Sequence, residues 1–144
     1  RKFQQGQVLI QAFQTAHPVL QDVLEQRFDR FFQRELGERK QFSYPPFFRL
    51  IRITLRHQKP DKVDEAAAHL HAMLAPRLGD QLKGPAMPSV GRVRGLYILD
   101  FLLKLEKGQV HTGKVKSFIQ QCIAQVTAMD GLSGLRSHVD VDPY

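Results

Sequence analysis

The fold of this chain is decided by residues 44–56, which read Tyr-Pro-Pro-Phe-Phe-Arg-Leu-Ile-Arg-Ile-Thr-Leu-Arg. Each proline fixes its φ, lacks an N–H, and moves the residue before it out of the helical region. A helix that approaches this stretch must therefore end near Tyr44. Beyond the prolines, apolar and polar side chains alternate from Ile51 to Arg56, which is typical of a half-buried strand.

Downstream of this strand, the apolar residues change between helical and strand spacing. The spacing predicts a helix from Pro60 to Gly79, an irregular strand over residues 82–95, a clear strand from Tyr97, a second helix from Thr112 to Gly131, and a last strand around Val139 and Val141. The order β-α-β-β-α-β predicts a ferredoxin-like split βαββαβ sandwich of the α+β class, with two helices on one face of a four-stranded antiparallel sheet. Its first and third strands are expected in the centre.

Upstream of the prolines, the sequence predicts a strand followed by a helix. Residues 7–13 form a short apolar run with β character, and Pro18 introduces a helix whose apolar residues repeat through Phe32. One strand and one helix cannot bury both of their apolar faces. Residues 1–43 are therefore expected to need a partner surface, and the predicted domains are 1–43 and 44–144.

Composition favours a globular protein with an anionic partner. The chain has 144 residues, of which 42% are hydrophobic, and its 21 Lys and Arg against 14 Asp and Glu give a net charge of +7. Such an excess suits a polyanion, most often nucleic acid. The alternative is a basic protein whose charge only keeps it in solution.

A single cysteine, Cys122, excludes an internal disulfide and a cysteine-based zinc site. It falls on an apolar helical stripe, where a structural thiol is expected. Without an apolar run near membrane-spanning length or a leader pattern, we expect a soluble, cytoplasmic protein. Because the chain begins at Arg1 rather than at a methionine, we expect a fragment of a longer protein.

Basic side chains on the sheet are the candidate contacts to nucleic-acid phosphates. The proposed set is Arg52, Arg56, Arg92, Arg94 and Lys104. Arg92 and Arg94 are predicted on one face of a strand between Gly91 and Gly95. That pattern is explained equally well by phosphate contacts and by an edge strand that only faces solvent. The outward positions of the central strands, residues 52 to 56 and 98 to 104, carry no aromatic side chain, which disfavours base stacking.

Three carboxylates raise a weaker hypothesis of metal-dependent nuclease chemistry. Asp140 and Asp142 share one face of the last strand, and Asp100 is expected nearby. Basic residues on the same sheet face offer them ion-pair partners, so structural pairing is favoured. The histidines show no spacing typical of metal ligands, and residues 91–95 lack the Lys-Ser/Thr of a nucleotide-binding loop.

Several motifs occur in the order found in one known family. They are residues 6–11, His17-Pro18, Glu35-Leu36 with Arg39, Pro45-Pro46-Phe47, Lys83-Gly84-Pro85, residues 92–97 and residues 139–143. Over nearly the whole chain they resemble the C-terminal part of the primosomal replication-restart helicases (the primosomal protein N′ family). Ala12 stands where the family usually has Thr, Thr15 where Pro is common, and Ile98 where Arg often follows the tyrosine.

The resemblance implies a parent that is an ATP-driven 3′-to-5′ DNA helicase, which restarts stalled replication forks and binds ATP, magnesium and zinc. It implies that residues 1–43 end the second helicase lobe and that residues 44–144 form the C-terminal domain. The catalytic motifs are not in this chain, so the fragment is expected to be catalytically silent and without a cofactor of its own.

The resemblance also implies the partners. They are forked or single-stranded DNA, primosome proteins and the acidic tail of single-stranded DNA-binding protein, with no membrane and with a monomeric parent. Lys114 matches a basic family position associated with that tail. The alternative hypothesis is a pure protein-interaction domain that makes no direct contact with DNA.

Overall fold

A computed structural model describes residues 6–108 and 111–143 of this chain. They fall into two compact units that divide between Glu38 and Arg39, and each unit is described by itself. Among the helices of these residues, none has the length and apolar character that crossing a membrane requires.

In the first unit, two helices stand where the sequence predicted one. The first, α1 (Pro18–Leu24), has proline at its first position and is capped by the His17 ring. It ends at Leu24, and the chain turns at Gln26, whose φ of 53° is left-handed, before α2 (Phe28–Gln41) begins. The prediction of one continuous helix is wrong here because glycine usually marks such a turn, and the glutamine gave no sign of it.

A buried carboxylate joins α1 to α2. Asp22 is 2% exposed, and its carboxylate pairs with Arg34 and lies 3.4 Å from Arg30 Nε. Apolar side chains around this group remain exposed, among them Phe28 and Phe32, whose rings stack at 5.8 Å. No described residue before Arg39 has a buried apolar side chain. This exposure agrees with the expectation that residues 1–43 need a partner surface.

The structure assigns no strand to residues 7–13, where the sequence predicted one. Leu9 is 96% exposed and Phe13 is fully exposed. A strand forms its hydrogen bonds with a neighbouring strand, and the described part of this unit contains no strand. The β character of the run is therefore not realised in this chain.

The second unit holds a sheet whose strands are β1 (Phe48–His57), β2 (Leu82–Ala86), β3 (Arg92–Val93), β4 (Leu96–Glu106) and β5 (Arg136–Val141). Their order is β2-β4-β1-β5, all neighbours are antiparallel, and the short β3 pairs with β4. The helices are α3 (Pro60–Leu78), a short 3-10 turn (Gly79–Gln81) and α4 (Thr112–Thr127). The α+β class is confirmed, and the arrangement is compatible with the predicted ferredoxin-like fold. β1 and β4 are central, as predicted.

The hydrophobic core lies between one face of this sheet and the two helices α3 and α4. Along β1, Ile51, Ile53 and Leu55 point into it and are at most 1% exposed. Phe101 and Leu103 meet them from β4. Burying each such side chain contributes about 1.5–3 kcal/mol. The alternate residues of β1 and β4 are thereby directed to the opposite, open face of the sheet.

Two glycine-containing segments shape the edge of the sheet. At Gly84 (φ 106°), a Cβ would lie 2.7 Å from the Asp100 carbonyl oxygen, so only glycine lets β2 approach β4 this closely. Val93 pairs with Leu96, which leaves Arg94-Gly95 as a two-residue hairpin turn with φ values of 50° and 79°. Positive φ at both positions is typical of the tight turn that joins two twisted strands.

Candidate nucleic-acid interface

The open face of the sheet carries three of the five predicted phosphate contacts. Arg52 and Arg56 extend from β1, and Lys104 extends from β4, because all three alternate with core residues. Leu102 lies directly opposite Arg52, and Leu50 lies directly opposite Lys104. The predicted placement of these residues on one face is confirmed. Their surroundings differ from one another, since Arg52 and Lys104 contact other parts of the chain and Arg56 has no carboxylate partner among the described residues.

Arg52 is engaged within the sheet. Its Nη2 lies 3.7 Å from Asp140 Oδ2 on β5, in the same cross-strand row. Asp142 accepts a hydrogen bond from Leu50 N–H at 3.1 Å and pairs with Arg49 Nε at 3.3 Å. Two ion pairs thus hold β5 and the residue after it to β1. The favoured structural pairing is confirmed for Asp140 and Asp142, although the partner of Asp142 is Arg49.

Lys104 holds the segment that follows α2. Its ammonium donates to the Phe42 carbonyl at 2.7 Å and lies 4.3 Å from the centre of the Tyr44 ring. Leu50, opposite Lys104 on β1, is fully buried on this nominally open face. This end of the face is therefore covered, and the cation at Lys104 is used to attach the chain that enters β1.

Arg92 and Arg94 do not share one face of a strand. Because Arg92 pairs with Tyr97, it lies on the helix side of the sheet, where its guanidinium is 4.8 Å from the Tyr97 ring centre. Arg94 occupies the hairpin turn after a strand of only two residues. The predicted basic strand is instead the tip of a hairpin, with both arginines exposed.

Arg136, which the sequence analysis missed, faces Arg56 across the open sheet face. The two residues are direct partners between β5 and β1, and both are exposed. Neither guanidinium has a carboxylate within ion-pair distance in the described part of the chain. The alternation of His138 and Asp140 on the outward side could have identified Arg136, since it continues the same period of two.

Lys114 lies apart from these arginines. It occupies the first turn of α4, where its backbone N–H donates to the His111 carbonyl at 3.0 Å. Its side chain is exposed on the helix layer, whereas Arg56 and Arg136 lie on the open face. A partner bound at Lys114 and a DNA strand on the open face would thus occupy different sides of this unit.

The three carboxylates of the nuclease hypothesis do not form a metal cluster. Asp100 lies opposite Thr54, one cross-strand row from the Arg52–Asp140 pair, and Asp142 is bound at Arg49. Residues 6–108 and 111–143 contain no group of three or more His, Cys, Asp or Glu side chains that could hold a metal ion. The described geometry thus gives no support to metal-dependent cleavage.

The open face offers little aromatic surface on which a nucleic-acid base could stack. Phe48 shares this face of β1, but it lies at the opposite end of the strand from Arg56 and beside Glu106 of β4. At the Arg56 end, the neighbouring outward residue of β4 is Ile98. The arrangement suits contacts with a charged backbone better than contacts with base faces.

The comparisons with known proteins agree with the resemblance seen in the sequence. Residues 40–144 match the family model described as the primosomal protein N C-terminal domain. The "Replication restart protein PriA" of Treponema pallidum is 32% identical over 140 residues, which cover 96% of this chain and 20% of that protein. The protein of the same name from Chlamydia trachomatis is 30% identical over 140 residues, covering 96% and 18%. That from Bacillus subtilis is 22% identical over 141 residues, covering 96% and 17%.

A solved structure, "De novo designed protein Foldit4", is similar at a TM-score of 0.47 and 9% identity over 65% of this chain and 94% of its own. That likeness is too distant to carry an argument. The chain spans about a fifth of the length of the Treponema relative. The match to the family model covers more than two thirds of the chain, from the end of α2 through β5. This chain therefore belongs to the family of primosomal protein N C-terminal domains.

Proposed function

We propose that this chain is the DNA-binding C-terminal part of a replication-restart helicase. The observation that carries the proposal is the exposed pair of Arg56 and Arg136, whose charges no described carboxylate neutralises. The net charge of +7 and the names of the relatives support it. DNA phosphates are the ligands that such an arrangement attracts most strongly.

DNA would be held mainly through its phosphates. Arg56 and Arg136 supply cations on the open face, and Arg92 and Arg94 supply them on the hairpin. Arg52 and Lys104 are already engaged with Asp140 and with the Phe42 carbonyl, so they add to the positive field more than they add direct contacts. Binding of this kind distinguishes DNA structures by shape rather than by base sequence.

The remaining activities belong to the parent protein in this proposal. The parent unwinds DNA in the 3′-to-5′ direction with ATP and magnesium, carries zinc, and acts in the cytoplasm. This chain would add affinity for forked or single-stranded DNA. Lys114, on the helix layer, would contribute to a site for the acidic tail of single-stranded DNA-binding protein.

Binding of fluorescently labelled forked DNA to four forms of the chain tests this proposal. Arg56→Gln and Arg136→Gln should each weaken binding severalfold, because each removes one phosphate contact. Lys116→Gln, which removes an exposed cation on α4, is the matched control and should bind nearly as tightly as the unaltered chain.

The variant Lys114→Glu tests the proposed binding of the acidic tail. This change should abolish binding of a peptide with the acidic tail and leave DNA binding intact. An unaltered chain that binds the peptide but no DNA at low salt would instead establish the pure protein-interaction domain and refute the DNA role.

A further inference from the structure

A cavity of about 320 Å³ opens where β1 ends and where β4 and β5 begin. Its walls include His57 from the end of β1, Leu96 from the start of β4, and Arg136 from the start of β5. The loop Ser133-Gly134-Leu135 closes one side. The volume is at the lower limit of ligand pockets, so the cavity suits a single small group better than a whole nucleotide.

His57 presents an unpartnered donor to this cavity. The side chain is about nine-tenths buried, and its Nδ1 accepts a hydrogen bond from Lys59 N–H at 3.0 Å. The neutral ring therefore carries its proton on Nε2. In the described part of the chain, Nε2–H has no hydrogen-bond acceptor. Nε2 itself remains accessible to solvent in the cavity, so a ligand group that accepts this hydrogen bond would take the place of water there.

Gly134 keeps the space in front of that donor open. A Cβ at this position would lie 2.8 Å from His57 Nε2, closer than real Cβ contacts occur. The backbone of Gly134 does not have the left-handed φ that would itself require glycine. Its lack of a side chain therefore serves the contact with His57 rather than the conformation of the loop.

The charge of the cavity is positive and uncompensated. Arg136 lines it, and Arg56 lies directly opposite Arg136 on β1. Like charges placed opposite each other in a sheet destabilise it unless an anion lies between them. The amides of Ser133 and Gly134 also donate to no backbone carbonyl in the described residues. Ring, guanidinium and loop amides are together the donors that an anionic oxygen group takes.

We propose that this cavity is a phosphate-binding site that takes one backbone phosphate of the bound DNA. The inference rests on the proposed DNA-binding function, to which it adds His57 and Gly134 beside Arg136. A DNA strand on the open face that contacts Arg56 passes beside Arg136, so the same strand can place a phosphate in the cavity. His57 Nε2–H and the Arg136 guanidinium then donate to its oxygens.

The salt dependence of single-stranded oligonucleotide binding tests this site through two independent variants. Gly134→Ala fills the space before His57, and Arg136→Gln removes the charge. Each should lower the affinity about tenfold, the value of one charge-assisted contact, and reduce the slope of log affinity against log salt by about one. Gly113→Ala, where a Cβ meets nothing within 4 Å, and Lys116→Gln are the controls and should leave both quantities unchanged.

NMR of the His57 ring and of the 133–136 amides gives the second readout. Their signals should shift when the oligonucleotide is added to the unaltered chain and should not shift in Gly134→Ala. If Gly134→Ala binds DNA with the affinity and slope of the unaltered chain, the cavity is not a DNA site, although the proposed function stands. If His57 responds to inorganic phosphate but not to the oligonucleotide, the cavity binds a free anion and its assignment to DNA is wrong. Failure of the unaltered chain to bind DNA would refute the proposed function itself.

Discussion

At the scale of single residues, Lys104 shows how a cation expected to bind DNA is used inside the fold. Its ammonium donates to the Phe42 carbonyl and lies against the Tyr44 ring. Both partners belong to the segment that leads from α2 through the two prolines into β1. The sequence predicted that Lys104 points outward from β4, but not that a preceding segment folds back over it, because the alternation of a strand carries no information on what covers its polar side.

Replacing Lys104 by methionine should therefore affect stability more than DNA binding. Lys104→Met keeps most of the aliphatic stem but loses the hydrogen bond and the cation–π contact, so the free energy of unfolding should fall by about 1–2 kcal/mol. Urea denaturation measures this change. Lys83→Met, on the same face of β2, is the control and should unfold like the unaltered chain. Equal stability of the two variants would show that the Lys104 contacts contribute nothing.

At the scale of elements, α4 illustrates a prediction that the structure confirms. Cys122 falls on its apolar stripe and is buried beside Ile119 and Val126. Burial raises the pKa of the Cys122 thiol above its usual value of 9.0, and the nearby Arg77 acts in the opposite direction. The thiol is therefore protonated and unreactive at neutral pH.

Alkylation of Cys122 by iodoacetamide should accordingly be at least about 100-fold slower in the folded chain than in urea. Because folding raises this pKa, the thiol contributes stability below pH 9.0, and that contribution is lost as the pH rises through the folded-state value. As the pH rises above 9, the free energy of unfolding should therefore fall less in Cys122→Ala than in the unaltered chain. Rapid labelling in the folded state would contradict the buried position of the thiol.

The elements that sequence patterns predicted well are those with strong periodicity and ordinary boundaries. β1, β4, α3 and α4 all follow from apolar spacing, and the central position of β1 and β4 follows from the order of the elements. The break between α1 and α2 was missed because Gln26 adopts a left-handed φ that usually marks glycine. The run at residues 7–13 has the composition of a strand but no neighbouring strand among the described residues of its unit.

The sequence predicted only part of the candidate site, because some of its residues come together only in the folded sheet. Arg56 was identified because it alternates with core residues. Arg136 continues the outward period of His138 and Asp140, but only the sheet pairing places it directly opposite Arg56. His57 and Gly134 are far apart in the chain and line one cavity only because the fold brings them together. Spacing along one element cannot report a contact between a strand end and a distant loop.

At the scale of the whole molecule, the net charge and the positions of the unpaired arginines support the proposed binding of DNA. A chain with a net charge of +7 neutralises Asp140 and Asp142 through Arg52 and Arg49, and leaves Arg56 and Arg136 without partners on the open face. These two arginines lie at one end of the sheet, close to the hairpin that carries Arg92 and Arg94. This concentration is what a DNA backbone would recognise.

The affinity of the unaltered chain for labelled forked DNA, measured from about 50 to about 200 mM salt, tests the central claim most directly. Contacts from Arg56, Arg92, Arg94 and Arg136 predict that log affinity falls against log salt with a slope of about −3, because each contact releases most of one counterion. An affinity that does not change over this range, or no binding at the lowest salt, would contradict the proposal that this chain binds DNA.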